Sequence, residues 1–142
     1  MRSGPAVGAE SRVLRSDGGS RYFPVMAIPS ADQCLERVRA LCLALPGVSE
    51  RVSHGEASFF VKKQFLTLAD HHHDDRFGFW AAAPDGAQEK WIDTDGTRFF
   101  RPPYVGGRGW IGVYLDVEQD WDDVADIIDS AHAVVTSTPR SR

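Results

Sequence analysis

Hydrophobic and polar positions along the chain fall into two long helical stripes separated by short alternating runs. After Ser30, the apolar positions Leu35, Val38, Leu41, Cys42 and Leu45 recur at helical spacing, and Pro46-Gly47 stops them. Ser30 with Gln33 three residues on has the form of a capping box. Strand-like runs follow at Ala57 to Val61 and Phe65 to Ala69, and Lys62-Lys63-Gln64 between them reads as a hairpin turn. Phe77 to Ala82 is a third run, after the polar turn His71 to Asp75. Pro84 to Ile92 predicts a short helix that Gly86 weakens. Trp110 to Leu115 is a strong strand candidate. Asp120 can cap a last helix, with Asp122 and Asp123 well placed at its positive end. Its stripe is Trp121, Val124, Ile127, Ile128, Ala131 and Val135, with Pro139 just beyond.

The order is helix, three strands, short helix, strand or strands, helix. This predicts an α+β fold, an antiparallel sheet with helices packed on one face. At 142 residues there is chain for one domain with a modest core. Residues 1–29 show neither period; they read as a disordered extension, with residues 30–138 the domain and 139–142 a tail. Translation beginning at Met26 would leave little more than that domain. The extension's functional alternative is a basic arm carrying Arg2, Arg12, Arg15 and Arg21.

Composition narrows the function. No apolar run reaches the roughly 20 residues of a membrane span, and no secretory h-region opens the chain. Cys34 and Cys42 read as reduced, buried thiols. Together these predict a cytoplasmic protein with no membrane partner. The net charge of −4 argues weakly against non-specific nucleic-acid binding. Its excess sits in residues 111–142, however, which hold seven acidic residues against Arg140 and Arg142. A basic face elsewhere is compatible with that.

One segment stands apart, Arg98-Phe99-Phe100-Arg101-Pro102-Pro103-Tyr104-Val105-Gly106-Gly107-Arg108-Gly109-Trp110. Guanidinium groups pair with phosphates, and aromatic faces stack on bases. Pro102-Pro103 stiffens the backbone, and Gly106-Gly107 permits positive φ before Arg108. The segment reads as a binding surface made by Arg98, Arg101, Tyr104, Arg108 and Trp110. The competing reading puts Phe99, Phe100 and Trp110 in the core. His54 is an added candidate in the loop after the first helix, for a phosphate contact, for acid or base work near neutral pH, or for fixing its loop by hydrogen bonds. Lys62 and Lys63 would extend a basic rim with Arg51 and Arg101. His71, His72, His73, Asp74 and Asp75 form a metal-like cluster, but neighbouring side chains in an extended segment diverge, so metal would bind there only adventitiously. The acidic run Asp116 to Asp129 reads as helix capping and a solvated face. No nucleophile with its base can be assigned from spacing. The reading therefore assigns no catalytic residue, no metal ligand and no cofactor, and predicts a protein that is not an enzyme.

In order and spacing the chain resembles the MmcQ/YjbR family of small bacterial proteins, over about Ala31 to Val135. The resemblance rests on Leu45-Pro46-Gly47-Val48, on Ser53-His54-Gly55-Glu56-Ala57-Ser58-Phe59, on Phe79-Trp80, on Pro84-Asp85-Gly86-Ala87-Gln88-Glu89 and above all on Arg98 to Leu115. It implies a CyaY-like fold, similar to bacterial frataxin, and a DNA-binding role. It does not imply iron binding: the first helix sets only Asp32 and Glu36 against Arg37 and Arg39, where frataxins carry an acidic ridge. The first function expected is DNA binding through the cationic-aromatic loop. The rival is a module that binds a protein or a small anionic ligand.

Overall fold

The structure, a computed structural model, describes residues 28–71 and 75–137. The extension over 1–27 with its four arginines and Met26, the residues His72, His73 and Asp74, and Pro139 with the C-terminal tail lie outside the described residues. The elements run α1 (Ala31–Leu43), β1 (Ser49–Ser53), β2 (Glu56–Val61), β3 (Lys63–Asp70), β4 (Phe77–Ala81), α2 (Ala87–Thr94), β5 (Phe99–Phe100), a 3-10 turn (Gly106–Arg108), β6 (Ile111–Tyr114) and α3 (Trp121–Thr136). The six strands form one antiparallel sheet in the order β1-β2-β3-β4-β6-β5. The expected α+β class is the class found.

Both helix caps form as the sequence predicts. The Ser30 hydroxyl accepts from Gln33 N, and the Gln33 side chain accepts from Ser30 N. The Asp120 carboxylate accepts from the backbone N–H groups of Asp122 and Asp123. Gly86 costs α2 nothing, because it precedes the helix and takes φ +84 as its N-cap.

The sequence signal missed β1. Ser49-Glu50-Arg51-Val52-Ser53 has no apolar alternation because it is an edge strand with one neighbour, and Val52 is left exposed. Backbone bonds to β2 hold it, and His54-Gly55 closes the hairpin with positive φ at both residues, the pattern of a type I′ turn. The next turn is tighter than the three residues expected. Only Lys62, at φ +61, lies between β2 and β3, and Lys63 and Gln64 already pair with Val61 and Phe60. Phe65 is then left without a partner as a β-bulge, since Phe59 pairs with Leu66. The bulge lets Phe65 and Leu66, consecutive in sequence, both be fully buried.

The pairing register separates two faces. Phe59, Leu66, Ala81 and Ile111 make one row across β2, β3, β4 and β6. Leu68, Phe79, Val113 and Phe99 make the next. All eight are buried, beneath Val124, Ile127, Ile128, Ala131 and Val135 of α3 and Cys34, Val38 and Cys42 of α1. Trp91 of α2 packs on Phe99 with ring centroids 5.1 Å apart, so α2 joins this layer. Each fully buried phenylalanine here, among them Phe59, Phe65, Phe79 and Phe99, contributes roughly 1.5–3 kcal/mol of transfer free energy. The other face carries a row through all six strands: Arg51, Ser58, Thr67, Trp80, Gly112 and Phe100. No helix of the described residues lies over that row.

Candidate nucleic-acid interface

Residues 101–110 link β5 to β6 and gather at one end of the sheet. Pro102 is buried and anchors the segment. Tyr104 takes φ +64, and Val105 N donates to Pro103 O at 2.6 Å across it, closing a three-residue turn. The Tyr104 side chain is 91% exposed as a result. The chain then winds through the 3-10 turn, with Arg108 N donating to Val105 O and Gly109 N to Gly106 O.

The glycines do different work from that expected. Positive φ belongs to Gly109, at +87, and not to Gly106 or Gly107. Gly106 is needed for space: a Cβ there would lie 2.7 Å from Cγ of Arg101, whose stem lies across it. Gln88 holds this arrangement from below. Its amide is 4% exposed and donates to Gly106 O at 2.9 Å and to Trp110 O at 2.6 Å, while its Oε1 accepts from Arg101 at 3.2 Å. Sequence reasoning did not single out Gln88. A polar residue on the inner side of a short helix was the available signal.

The remaining candidates divide. Arg108 is exposed, lies 5.5 Å from the Trp110 ring, and has no hydrogen-bond or ion-pair partner among the described residues. Trp110 itself is buried, so it is core and not a stacking platform. Arg98 is a clip between β5 and α3: its guanidinium bonds Asp95 and Asp123 and reaches Gln119 at 3.4 Å, leaving its side chain 17% exposed. Bonds from Thr97 and then from Arg98 hold the Asp95 carboxyl below its usual range. Asp123 goes the other way, because burial and the nearby Asp120 outweigh Arg98.

Lys62 and Lys63 are exposed, and the β2–β3 turn that carries them lies at the same end of the sheet as the 101–110 loop. His54 is not brought to them. It sits in the β1–β2 turn, at the opposite end and on the far edge. The outer strands β1 and β5 are about 24 Å apart at ordinary strand spacing.

Aromatic and cationic side chains meet on the helix-free face. The Arg51 guanidinium lies 3.9 Å from the Phe60 ring centre. Trp80 and Tyr104 have centroids 6.4 Å apart, and Phe100 stacks on Tyr114 at 4.4 Å. Arg76 covers Tyr114 at 3.7 Å and pairs with Asp116 through two bonds of 2.8 Å. Trp80 was legible as a face residue, since it alternates with the core residue Phe79.

Among the described residues no three His, Cys, Asp or Glu side chains converge as metal ligands. His71 pairs with Asp70, which pushes its pKa up. Cys34 and Cys42 are free and buried. No helix of the described residues is long and apolar enough to cross a membrane.

A search among curated proteins finds no match to this sequence. A family model described as YjbR matches residues 43–134, from the last residue of α1 to near the end of α3. That span is more than half of the chain and contains the whole sheet together with the 101–110 loop, so the chain belongs to the YjbR family.

Proposed function

We propose that this is a non-enzymatic, cytoplasmic nucleic-acid-binding protein that engages DNA through the 101–110 loop and the neighbouring end of the sheet. The observation that carries the reading is a set of cations without carboxylate partners among the described residues. Arg101, Arg108, Lys62 and Lys63 lie at one end of the sheet, and Arg51 lies on the helix-free face. On the opposite face of the sheet, α3 carries Asp122, Asp123, Asp126 and Asp129. Such a surface neutralises phosphates and reads little sequence.

The test is titration of the untagged full chain against labelled duplex DNA at two salt concentrations. Arg108→Ala and Lys62→Ala/Lys63→Ala are the informative variants, because Arg101 also supports the loop. Each lost phosphate contact lowers the slope of log K against log salt by about one. Unchanged slopes in both variants would remove this surface from the interface. No binding at low salt would redirect the search to a protein or a small anion.

A further inference from the structure

The helix-free face limits which form of nucleic acid can use it. We infer that the preferred ligand is an unpaired strand, laid across the sheet with a base stacked on Tyr104. This deepens the nucleic-acid reading and rests on it.

All three helices pack on the other side of the sheet. None of them lies on the helix-free face, and a major groove about 12 Å wide is read by an inserted helix or ribbon. An open sheet face suits bases whose π surfaces are free. Most aromatic rings on this face already have an occupant: Arg51 over Phe60, and Phe100 and Arg76 about Tyr114. Tyr104 differs. It is 91% exposed, and among the described residues its only ring neighbour is Trp80 at 6.4 Å, inclined by 50°. Pro103 and the 2.6 Å bond from Val105 N fix its backbone, so little freedom is lost when a base settles on the ring. The cations in its loop, at its end of the sheet and along the helix-free face favour a polyanion over a neutral peptide. Arg108 and Arg101 flank Tyr104 in sequence, Lys62 and Lys63 share its end of the sheet, and Arg51 stands at the far end of the row containing Trp80.

The experiment measures anisotropy of a labelled single strand of about 12 nucleotides, within the site sizes open platforms use, and of the duplex of the same sequence. Both are read at one low salt concentration with the full chain and with Tyr104→Ala and Tyr104→Phe. The single strand is expected to bind at least tenfold more tightly. Tyr104→Ala should weaken it roughly five- to 150-fold, the range for one stacked base. Tyr104→Phe should bind like wild type. Equal or tighter binding of the duplex, or wild-type affinity in Tyr104→Ala, overturns the inference while leaving DNA binding standing. Binding of neither form overturns both.

Discussion

Replacing Gln88 with leucine tests whether the 101–110 loop is positioned by a single buried amide. The residue is 4% exposed and joins three groups of the loop: Gly106 O at 2.9 Å, Trp110 O at 2.6 Å and the Arg101 guanidinium at 3.2 Å. Leucine keeps the volume and removes every bond. Gly106 O still accepts from Gly109 N, so the larger loss falls at Trp110 O. Leaving a buried acceptor without its donor costs roughly 1–3 kcal/mol, and the weaker loss at Gly106 brings the total to about 2–3 kcal/mol. For a domain of this size that is a fall in Tm of about 8–12 °C. Thermal denaturation by circular dichroism reads it directly. Gln88→Glu should be worse than leucine near neutral pH, because a carboxylate can only accept and would face two carbonyl oxygens. If the proposed interface is right, affinity for nucleic acid should fall in Gln88→Leu, where the Arg101 guanidinium loses its acceptor. A Gln88→Leu protein that melts within about 2 °C of wild type would refute the claim that this amide holds the loop.

Gly112→Ala should destabilise by about 1–3 kcal/mol, as overpacking does, because a Cβ there would lie 2.4 Å from the Phe100 ring. Adding Phe100→Ala should recover part of that loss, which a double-mutant cycle measures by chemical denaturation. The Asp116 carboxyl is held below its usual range chiefly by Arg76, and Glu50 chiefly by Arg39. A depressed carboxylate stabilises above its unfolded pKa and loses that contribution as pH falls through the folded value. Asp116→Asn should therefore lower Tm near neutral pH, and melting curves at falling pH should show the gap to wild type closing below about pH 4. Burial pushes the Cys42 thiol up to about 12 and raises that of Cys34. Neither should react with a thiol-disulfide reagent at about pH 8 until the protein unfolds; rapid labelling of the native protein would contradict their placement.

Much of the fold was legible because its helices carry explicit local signals. The capping box at Ser30, the Asp120 cap and the stripe from Val124 to Val135 need no partner to be read. What sequence missed depends on partners. The strand β1 is defined by its bonds to β2 and not by its side chains, and the bulge at Phe65 breaks the alternation that marks a strand. The loop's composition marked the site, but composition could not divide its members. Arg98 and Arg108 look alike in the sequence; one is clipped to Asp95 and Asp123, the other is exposed beside Trp110. His54 shares a family motif with its neighbours and still ends at the opposite end of the sheet. The glycines were read for their torsions, whereas Gly106 serves as room for the Arg101 stem.

The layout of charge has a kinetic consequence. The chain as a whole carries −4, and α3 bears four aspartates, while the exposed cations Lys62, Lys63, Arg101 and Arg108 sit at one end of the sheet and Arg51 on its helix-free face. On the proposed interface the protein would repel a distant polyanion and attract it only when the right side is turned toward it. The screening length is about 30 Å at 0.01 M salt and about 10 Å at 0.1 M. At the lower concentration the whole molecule's charge is felt before the sheet face is, and approach is slowed. As salt rises, the repulsive far field vanishes first and the attractive near field survives. Association rate plotted against ionic strength should pass through a maximum instead of falling steadily, the signature of a protein that must rotate into register before it is captured.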